Sequence, residues 1–505
     1  MDALNGLAQG FQVVLQPQNL LFCLIGSVVG TLIGVLPGIG PLAALALLLP
    51  VTFTMTPVAG VLMLAAIFYG AMYGGSTTSI LLNMPGEAAS VVTCRDGHQM
   101  ARQGRAGAAL GISAIGSFVA GTLSVVALTF FAPLLGGFAL RFGPPENFAL
   151  MVMGLVCTLF MIAGSRLKGL VMVALGFLLA TIGIDVVNGK ERYTFGTIDL
   201  TGGIDVLALV IGLYGVSEIL SNVEQSIKST LVTTKVTKIF PTRDDLRRSF
   251  APILRGSGLG FLLGLVPGGG PITASFMSYA LEQRVSKTPE RFGKGAIEGV
   301  AGPESANNAA VGGSMVPVLS LGIPGTPVTA LLLGALVIQG IQPGPLFITQ
   351  HADLFWGVVA SMYVGNVLLL ILNLPLVGMW VQLLRIPYRY LFPVVLLLSI
   401  VGTYSANKNV FDLWIMLGFG VIGWFLRKLE YDFAPFIIAF ILAPLMEQSL
   451  RQSLAMSADG MMIFAQRPIA AVLFSISAVL IVLIVLKPRN NELTEEIHNA
   501  DKTSS

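Results

Sequence analysis

Long apolar stretches, interrupted at short intervals by Gly and Pro, run through almost the whole chain. A helix needs about 20 residues to cross the hydrocarbon core of a bilayer, and these stretches recur often enough for many crossings. Only 11% of the 505 residues are charged, whereas soluble proteins carry roughly 25%. A water-facing surface could not be built from this chain, which excludes a soluble globular protein, a disordered chain and a nucleic-acid-binding protein. The sequence predicts an all-α polytopic integral membrane protein.

The candidate spans form two series. The first lies at about 18–36, 42–56, 58–74, 107–132, 147–163, 168–186 and 204–220. The second lies at about 252–266, 271–284, 296–312, 328–341, 354–377, 390–406, 410–426 and 432–448, followed by a last span at 468–486. Several are too short, or too interrupted by Gly and Pro, to be plain spans, and we expect broken or re-entrant helices there.

An internal duplication relates the two series. Residues 26–41 read GSVVGTLIGVLPGIGP and residues 256–271 read GSGLGFLLGLVPGGGP. At one constant offset of 230 residues, the first string aligns Gly26, Gly30, Gly34, Pro37, Gly38, Gly40 and Pro41 with Gly256, Gly260, Gly264, Pro267, Gly268, Gly270 and Pro271 of the second. Further on, Asn83-Met-Pro85-Gly86 parallels Gly322-Ile-Pro324-Gly325, and Glu218 parallels Glu447. Chance similarity between Gly-rich apolar segments is the alternative, and so many identities at one offset argue against it.

The duplication predicts the domain organisation. We expect a first transmembrane repeat at 1–220, a basic cytoplasmic linker at 221–255 and a second transmembrane repeat at 256–450. A connection and a last transmembrane helix follow at 451–486, and a polar cytoplasmic tail at 487–505. The linker is most simply a cytoplasmic connector, and a partner-docking surface is the alternative.

Charge placement predicts that the second repeat is inverted. In the first half the connection 50–61 carries no charge and the connection 95–105 is basic, whereas in the second half 282–294 is basic and 338–350 has no Lys or Arg. Lys and Arg collect in cytoplasmic loops, so equivalent loops should lie on opposite sides of the membrane, as in an inverted-topology repeat. Four residues disagree with this assignment and are treated as exceptions: Lys190, Arg192, Arg451 and Arg467.

The Pro-Gly strings predict helix breaks inside the membrane. Pro removes a backbone donor and Gly weakens a helix, and the freed groups cannot face lipid. This backbone must be buried or line a wet cavity, where a half-helix points its positive end at a ligand. A packing kink or a tight turn is the alternative. The predicted breaks are at Pro37, Gly38 and Gly40 and at Pro267, Gly268 and Gly270.

Two polar strings lie where hydrocarbon-facing residues would be expected: residues 74–79 read GGSTTS and residues 302–308 read GPESANN. They supply hydroxyl and amide donors that suit an anionic carboxylate ligand. Glu304 would repel such a ligand, so we interpret it as a proton or cation site, because a carboxylate at membrane depth is by default functional. Helix capping is the alternative role, with Glu87 at the cytoplasmic interface. The predicted substrate-binding residues are Ser76, Thr77, Thr78, Asn83, Pro85, Gly86, Ser305, Asn307, Asn308, Pro324, Gly325 and Thr326.

Enzyme motifs are missing from the sequence. It contains no His-Glu-x-x-His helix and no phosphate-binding loop that ends in Gly-Lys-Ser/Thr. His98, His351 and His498 lie in or near polar connections, which does not favour a Ser–His pair inside the membrane. The three cysteines are scattered and form neither a disulfide framework nor a metal cluster. We therefore expect no enzyme activity, no metal and no cofactor other than a coupling cation.

The motifs resemble those of one family. The duplicated Pro-Gly strings, Tyr69-Gly-Ala-Met-Tyr-Gly-Gly-Ser76, the Asn-Met-Pro-Gly segment and Gly302-Pro-Glu-Ser-Ala-Asn-Asn308 are similar to the large membrane subunit (permease) of the bacterial tripartite tricarboxylate transporters. The resemblance covers almost the entire chain. It implies a secondary transporter of the bacterial inner membrane, with a periplasmic solute-binding protein and a small membrane subunit as partners. It also implies uptake of citrate or a related organic anion with an ion gradient.

The sequence and the resemblance together predict a carrier for a carboxylate that works by alternating access, driven by Na⁺ or protons. Two other readings stay open. A stand-alone organic-anion carrier would need no binding protein, and a passive anion channel would not respond to an ion gradient.

Overall fold

The structure is a computed structural model of the chain. It describes residues 3–36, 40–52, 55–139, 141–162, 165–185, 188–224, 239–341, 344, 346–383 and 388–486. Among the predicted features, Pro37, Gly38, the linker residues 225–238 and the tail 487–505 lie outside the described residues.

Helices make up most of the described chain. In the first half they are α1 (Ala3–Val14), α2 (Pro17–Val35), α3 (Gly40–Thr52), α4 (Pro57–Leu82), α5 (Val91–Arg102), α6 (Ala106–Ala139), α7 (Pro144–Met161), α8 (Arg166–Ala180), α9 (Val206–Val210) and α10 (Ser217–Glu224). A π-helical segment, Ile211–Val216, joins α9 to α10. Between α8 and α9, β1 (Gly183–Ile184) pairs antiparallel with β2 (Glu191–Arg192).

The second half has a corresponding series. Its helices are α11 (Arg243–Leu265), α12 (Gly270–Val285), α13 (Glu298–Leu321), α14 (Pro327–Ile338), α15 (Phe347–Gln350), α16 (Ala352–Asn373), α17 (Val377–Leu383), α18 (Tyr388–Asn407), α19 (Val410–Lys428), α20 (Ala434–Ala455), α21 (Ile463–Gln466) and α22 (Pro468–Leu486). Single 3₁₀ turns lie at Ala88–Ser90, Ile198–Leu200, Pro289–Arg291 and Gly460–Met462.

Seven of the described helices are long and apolar enough to cross a membrane. They are α2, α4, the Ala106–Gly137 part of α6, α16, α19, α20 and α22. Shorter apolar helices accompany them, among them α3, α14 and the Val206–Ser221 segment. The prediction of an all-α polytopic membrane protein is confirmed.

The polar strings are helical, which corrects the predicted span ends. The span predicted to end near residue 74 continues as α4 through Gly74–Ser79 to Leu82, and α13 continues to Leu321. Serine and threonine hydroxyls satisfy themselves on the preceding turn, as Ser79 Oγ does by donating to the Gly75 carbonyl at 2.9 Å. Both helices are buried along nearly their whole length. Their serine and threonine residues therefore continue the helix inside the bundle and do not end it.

Both central helices end in the same kind of turn. Asn83 after α4 and Gly322 after α13 adopt the left-handed conformation, with φ of 57° and 70°. Asn and Gly are the residues that tolerate this conformation at a helix end. A Pro follows two residues later in each case, and it cannot continue the helix. The sequence parallel between the two Pro-Gly turns therefore corresponds to a shared backbone geometry.

Glycine spacing explains the closest helix pairs. A Cβ added at any of six glycines would come within 2.2–2.5 Å of a main-chain oxygen of the neighbouring helix. Small residues at such spacing allow membrane helices to approach closely. The glycines are Gly26, Gly30 and Gly34 of α2 against α4, and Gly256, Gly260 and Gly264 of α11 against α13. The duplicated glycines thus perform the same packing in both halves.

The order of contacts shows how the central helices run. From α4, Tyr69 contacts Ser361 and Tyr73 contacts Asn366, so α4 and α16 run in the same direction. From α6, Ser117 contacts Asn308 and Ser124 packs on Gly312, so α6 and α13 also run in the same direction.

The remaining contacts complete the comparison. Asn366 Nδ2 donates to the Phe118 carbonyl at 2.8 Å, and Tyr363 bonds Thr129 at 3.1 Å, so α6 and α16 run in opposite directions. It follows that α4 and α13, the equivalent central helices of the two halves, run in opposite directions. This supports the predicted inverted topology.

Two of the four basic exceptions belong to an ion-pair network. Arg192 of β2 pairs with Asp185 and with Glu447 of α20, the latter at 2.8 Å. Arg451 also pairs with Asp185, at 3.0 Å. A neutralised Arg carries little weight as a sign of cytoplasmic location. The parallel residue Glu218 makes a similar pair with Arg427 of α19.

The start of α11 lies within the segment predicted as the basic linker. Helix α11 begins at Arg243, so the last residues of the predicted 221–255 segment belong to a helix that enters the bundle. Thr242 caps this helix and Arg105 pairs with Asp245 in its first turn. Burial raises the pKa of Asp245, but hydrogen bonds from Thr242 and the Arg105 guanidinium outweigh burial and hold the pKa below its usual value.

Candidate functional site

A cavity of about 380 Å³ lies between described residues that adjoin the Pro-Gly strings of both halves. This volume falls in the range of small-molecule sites, about 300–1,000 Å³. Its lining consists of Pro41, Leu42, Phe68, Met72, Glu87, Ala88, Thr158, Ile162, Tyr214, Gly268, Gly269, Gly270, Pro271, Ile272, Thr273, Gly325, Thr326, Pro327, Val328, Asp432, Ala434, Pro435 and Ile438. The turns that sequence reasoning paired thus contribute to one chamber.

Helix N-termini converge on this cavity. Lining residues come from the first turns of α3, α12, α14 and α20. The first N–H groups of a helix have no partner within the helix, and the helix dipole adds partial positive charge at the same end. Such ends bind anions without a basic side chain. The cavity lining contains no Lys, Arg or His, so these N-termini are its main electropositive groups.

The second-half turns support each other at the cavity wall. The Gly268 N–H donates to the Gly325 carbonyl at 2.8 Å. Gly268 has φ of +80° and Gly270 has φ of +42°. A Cβ at Gly268 would lie 2.7 Å from Thr158 Cα, and one at Gly270 would lie 2.8 Å from the Thr326 methyl. Only Gly satisfies both the conformation and the space there.

The two central turns present equivalent residues to the cavity. Glu87 follows Gly86 directly, as Thr326 follows Gly325. Glu87 caps the 3₁₀ turn at Ala88–Ser90, where its Oε2 accepts from the Ala89 N–H at 2.6 Å. Thr326 caps α14 through the Thr329 N–H at 3.2 Å. One half therefore offers a carboxylate and the other a hydroxyl at the same place.

Glu304 lies in a polar cluster behind the cavity wall. It is 1% exposed and does not line the cavity. Ser76 Oγ donates to its Oε2 at 2.6 Å, and the Thr93 hydroxyl donates to its Oε1. The cluster joins the halves, because Ser76 and Thr93 come from α4 and α5 whereas Glu304 comes from α13. Removing a buried carboxylate from such donors would leave their hydrogen bonds unmade.

Asn307 connects this cluster to the cavity. Its Nδ2 donates to Glu87 Oε1 at 3.2 Å, and it lies one turn after Glu304 on α13. Its Oδ1 is buried and has no hydrogen-bond partner, and the same is true of Ser305 Oγ. Asn308 instead donates to Ser117 Oγ at 2.7 Å.

The structure brings only some of the predicted substrate residues to the cavity. Gly325 and Thr326 line it, as do the predicted break residues Gly268 and Gly270. The others pack behind or beside it. Those outside its lining are Ser76, Thr77, Thr78, Asn83, Pro85, Gly86, Ser305, Asn307, Asn308, Pro324 and Pro267, and Gly40 lies next to the lining residue Pro41.

Geometry explains two of these differences. Gly86 is packed so closely that an added Cβ would lie 2.1 Å from the Gly34 carbonyl oxygen, so it closes the turn against α2. Thr77 lines a separate small cavity of about 10 Å³ with Ser113 and Asn373, too small for an organic anion.

Sequence reasoning did not single out several lining residues. Thr158 and Ile162 come from the end of α7, Tyr214 from the π-helical segment, and Asp432 with Pro435 from the start of α20. π-Helical segments often occur at functional sites, but no sequence pattern marked this one. A Pro at a helix start, as at Pro435, is the single signal that could have suggested a helix N-terminus there.

In the described part of the chain, no group of three or more His, Cys, Asp or Glu side chains is placed to hold a metal ion. The polar groups at the cavity are hydroxyls, amides and carboxylates, which are ligands for hard cations or hydrogen-bond partners for an anion.

Fold and cavity together define a multi-pass membrane protein with a chamber enclosed by broken helices of two related halves, as in secondary transporters. Residues 20–438 match the tripartite tricarboxylate transporter TctA family. The chain belongs to this family and corresponds to the large subunit of such a transporter, which confirms the resemblance.

Two proteins of Agrobacterium vitis are similar in sequence to this chain. One, described as an uncharacterized 52.8 kDa protein in the TAR-I ttuC' 3' region, is 48% identical over 486 residues, which is 96% of this chain and 97% of the relative. Another, described as an uncharacterized protein in the TAR-II ttuC' 3' region, is 50% identical over 227 residues, 45% of this chain and 94% of the relative. No solved structure matches the chain significantly.

Proposed function

We propose that this subunit imports a tricarboxylate such as citrate, or a related organic anion, as a secondary carrier of the bacterial inner membrane. The observation that carries the proposal is the shared cavity, where the N-termini of α3, α12, α14 and α20 meet. The positive ends of four helix dipoles suit a ligand with several carboxylates better than they suit a cation or a neutral solute.

In this proposal, the positive helix ends that begin at Gly270 and at Pro327 face the substrate carboxylates. The Thr326 and Thr158 hydroxyls supply further contacts at the same wall. The predicted ligands Ser76, Thr77, Thr78, Asn83, Asn308 and Ser305 support the wall from behind, and the turns at Pro85-Gly86 and Pro324-Gly325 hold it in shape.

Coupling to an ion gradient is assigned to Glu304. Its carboxylate is removed from the cavity and receives hydroxyl hydrogen bonds from Ser76 and Thr93. A buried carboxylate at membrane depth is expensive unless it binds a proton or a cation in part of its cycle. Na⁺ or H⁺ bound there would offset the negative charge of the substrate as both cross the membrane.

Alternating access follows from the two halves. The opposite directions of α4 and α13 support inverted repeats, in which a substrate-carrying part moves against a scaffold around a central site. The exposed lining residues Ala88, Ile272 and Asp432 indicate that the cavity opens on the side they share. We infer that a second conformation opens it to the other side.

Two partners belong to the proposal, a periplasmic solute-binding protein and a small membrane subunit. Family membership supports both, because a tripartite transporter has three components. The binding protein would deliver the anion to the opening of the cavity.

Uptake in membrane vesicles tests the function. Vesicles with all three components receive a panel of radiolabelled carboxylates under separate Na⁺ and proton gradients. We expect accumulation of at least one carboxylate above its external concentration, dependent on one gradient and on the binding protein. Full accumulation with this chain alone would instead identify a stand-alone carrier. Flux that ignores both gradients and stops at equal concentrations would identify a passive channel.

A further inference from the structure

Among the described residues, Glu87 is the one carboxylate that lines the cavity and also contacts Asn307, next to the buried cluster around Glu304. It lines the cavity, yet its side chain is 6% exposed. On its other side, Glu87 Oε1 accepts from Asn307 Nδ2 at 3.2 Å. Asn307 and Glu304 share one face of α13, because residues three apart are neighbours on a helix surface. Glu87 thus contacts a residue that lies one helical turn from Glu304.

Helix capping does not explain why the residue is acidic. Thr326 occupies the equivalent position of the second half and caps its helix with a hydroxyl. A Ser caps as well as an Asp does, and a Thr caps only slightly less well. The carboxyl group of Glu87 therefore places an ionisable acid beside a cavity whose helix ends favour anions. When it is ionised, its negative charge weakens binding of a carboxylate unless a cation accompanies it.

Asn307 supplies a second and independent sign of a cation. Its side chain is 1% exposed and its Oδ1 has no hydrogen-bond partner. A buried polar atom without a partner costs about 1–3 kcal/mol, so a missing ligand is the simplest explanation. Glu87 Oε1 accepts only the Asn307 amide among the described contacts, and a carboxylate oxygen has capacity for another ligand.

The geometry fits a hard cation between the two side chains. Rotation of the Asn307 amide would place Oδ1 where Nδ2 now lies, 3.2 Å from Glu87 Oε1. Two oxygens bound at right angles to a cation with bonds of about 2.3–2.6 Å lie about 3.3–3.7 Å apart. The present separation therefore needs only a small expansion. Without a cation the two oxygens would repel, and the amide presents its N–H₂ group instead.

We propose that Glu87 and Asn307 Oδ1 form a site for Na⁺ at the cavity wall, through which the coupling ion reaches Glu304. The role of this ion in coupling rests on the proposed function. The binding of Na⁺ itself does not depend on transport. Bound Na⁺ neutralises Glu87, so the carried anion and the ion favour each other's binding.

A binding measurement tests the site without transport. The full chain, purified in detergent without carboxylate, is heated in NaCl or in KCl at equal ionic strength, and the unfolding temperature is followed. A ligand that binds only the folded state raises that temperature with its concentration. We expect Na⁺ to raise it by a few degrees over K⁺, and we expect Glu87→Gln, Glu87→Thr and Asn307→Ala to lose this difference.

The variants include folding controls. Glu87→Thr introduces the capping residue that Thr326 already shows to be compatible with this turn, so it should keep the cap while removing the charge. Glu146→Gln changes another buried Glu, which caps α7 by accepting from the Gly143 N–H at 2.8 Å. This variant should keep the full Na⁺ effect.

The outcomes separate this inference from the proposed function. No difference between NaCl and KCl in the wild-type chain, or a difference that survives in Glu87→Thr, overturns the Na⁺ site, whatever the vesicles accumulate. A difference that Glu87→Thr abolishes upholds the site, even if none of the tested carboxylates is accumulated. In that last case it is the proposed function that fails.

Discussion

At the scale of single residues, the buried acids have different surroundings although they look alike in the sequence. Glu304 is enclosed by hydroxyl donors, Glu87 lies between the cavity and Asn307, and Asp96 is fixed by the Tyr279 hydroxyl and the N–H groups of Gly295 and Ala296. Asp96 thereby fastens α5 of the first half to the segment before α13 in the second. Sequence position alone does not separate these roles, because each depends on neighbours that are distant in the chain.

Glu304→Gln is predicted to lose gradient-driven accumulation. The amide oxygen can still accept one hydroxyl and the hydroxyls can rotate to accept from the amide, so the fold should persist. The charge that binds the coupling cation is gone, and substrate exchange without a gradient should continue. The measurement compares accumulation and exchange in the same vesicles, with Glu146→Gln as control. Normal accumulation by Glu304→Gln would show that the coupling assignment is wrong.

At the scale of elements, the close helix pairs depend on glycines that only the structure distinguishes from their neighbours. In α11, Gly256, Gly260 and Gly264 face α13, whereas Gly258 has no atom within 4 Å of an added Cβ. The spacing of four residues predicted a shared face. Which neighbouring helix covers that face is decided by the tertiary structure.

Gly260→Val is predicted to separate α11 from α13. An added Cβ would lie 2.2 Å from the Ala306 carbonyl oxygen, and main chain cannot move aside as a flexible side chain can. Overpacking of this kind costs about 1–3 kcal/mol or more. Unfolding temperature in detergent measures the effect, and Gly258→Val on the same helix is the matched control. Equal temperatures for the two variants would contradict the packing described here.

At the scale of the whole molecule, each half packs one long helix against the central helix of the other half. Helix α6 of the first half packs against α13, and α16 of the second half packs against α4. The halves are therefore interlocked around the polar cluster. The turns at Gly86-Glu87 and Gly325-Thr326 both reach the cavity wall, through Glu87 in one half and through Gly325 and Thr326 in the other.

Cysteine accessibility is predicted to report alternating access at this cavity. Gly86 is unsuitable because a side chain there would clash with Gly34, but Ala88 and Thr326 line the cavity and have room. In a chain without its three native cysteines, Ala88→Cys and Thr326→Cys should react with a water-soluble maleimide from one side of the membrane in one state. Conditions that favour the other state should reverse the side.

Glu290→Cys, at an exposed position of the Pro289–Arg291 turn outside the cavity lining, is the control for general changes in reactivity. If Ala88→Cys and Thr326→Cys never differ between inward- and outward-favouring conditions, the alternating-access proposal fails.

Local patterns carried much of the fold. Apolar stretches set the helices to within a few residues for most spans, because burying main chain in lipid demands helical hydrogen bonding. The repeated Pro-Gly strings marked where α11 ends and α12 begins, because Pro and Gly act through the backbone of their own segment. The polar string at Gly74–Ser79 misled the predicted end of α4, because a hydroxyl's effect depends on whether a neighbouring helix buries it.

The amino-acid sequence by itself determined the membrane-protein class, the duplication and the kinds of polar groups placed inside the bundle. These follow from side-chain hydrophobicity and backbone freedom, which are properties of each segment alone. Only the tertiary structure decided that Gly268, Gly325 and Glu87 reach one cavity while Ser76 and Glu304 stay behind its wall. That choice arises from packing between helices that are far apart in the chain. Close van der Waals contacts and long-range hydrogen bonds between them determine which face of each helix turns inward.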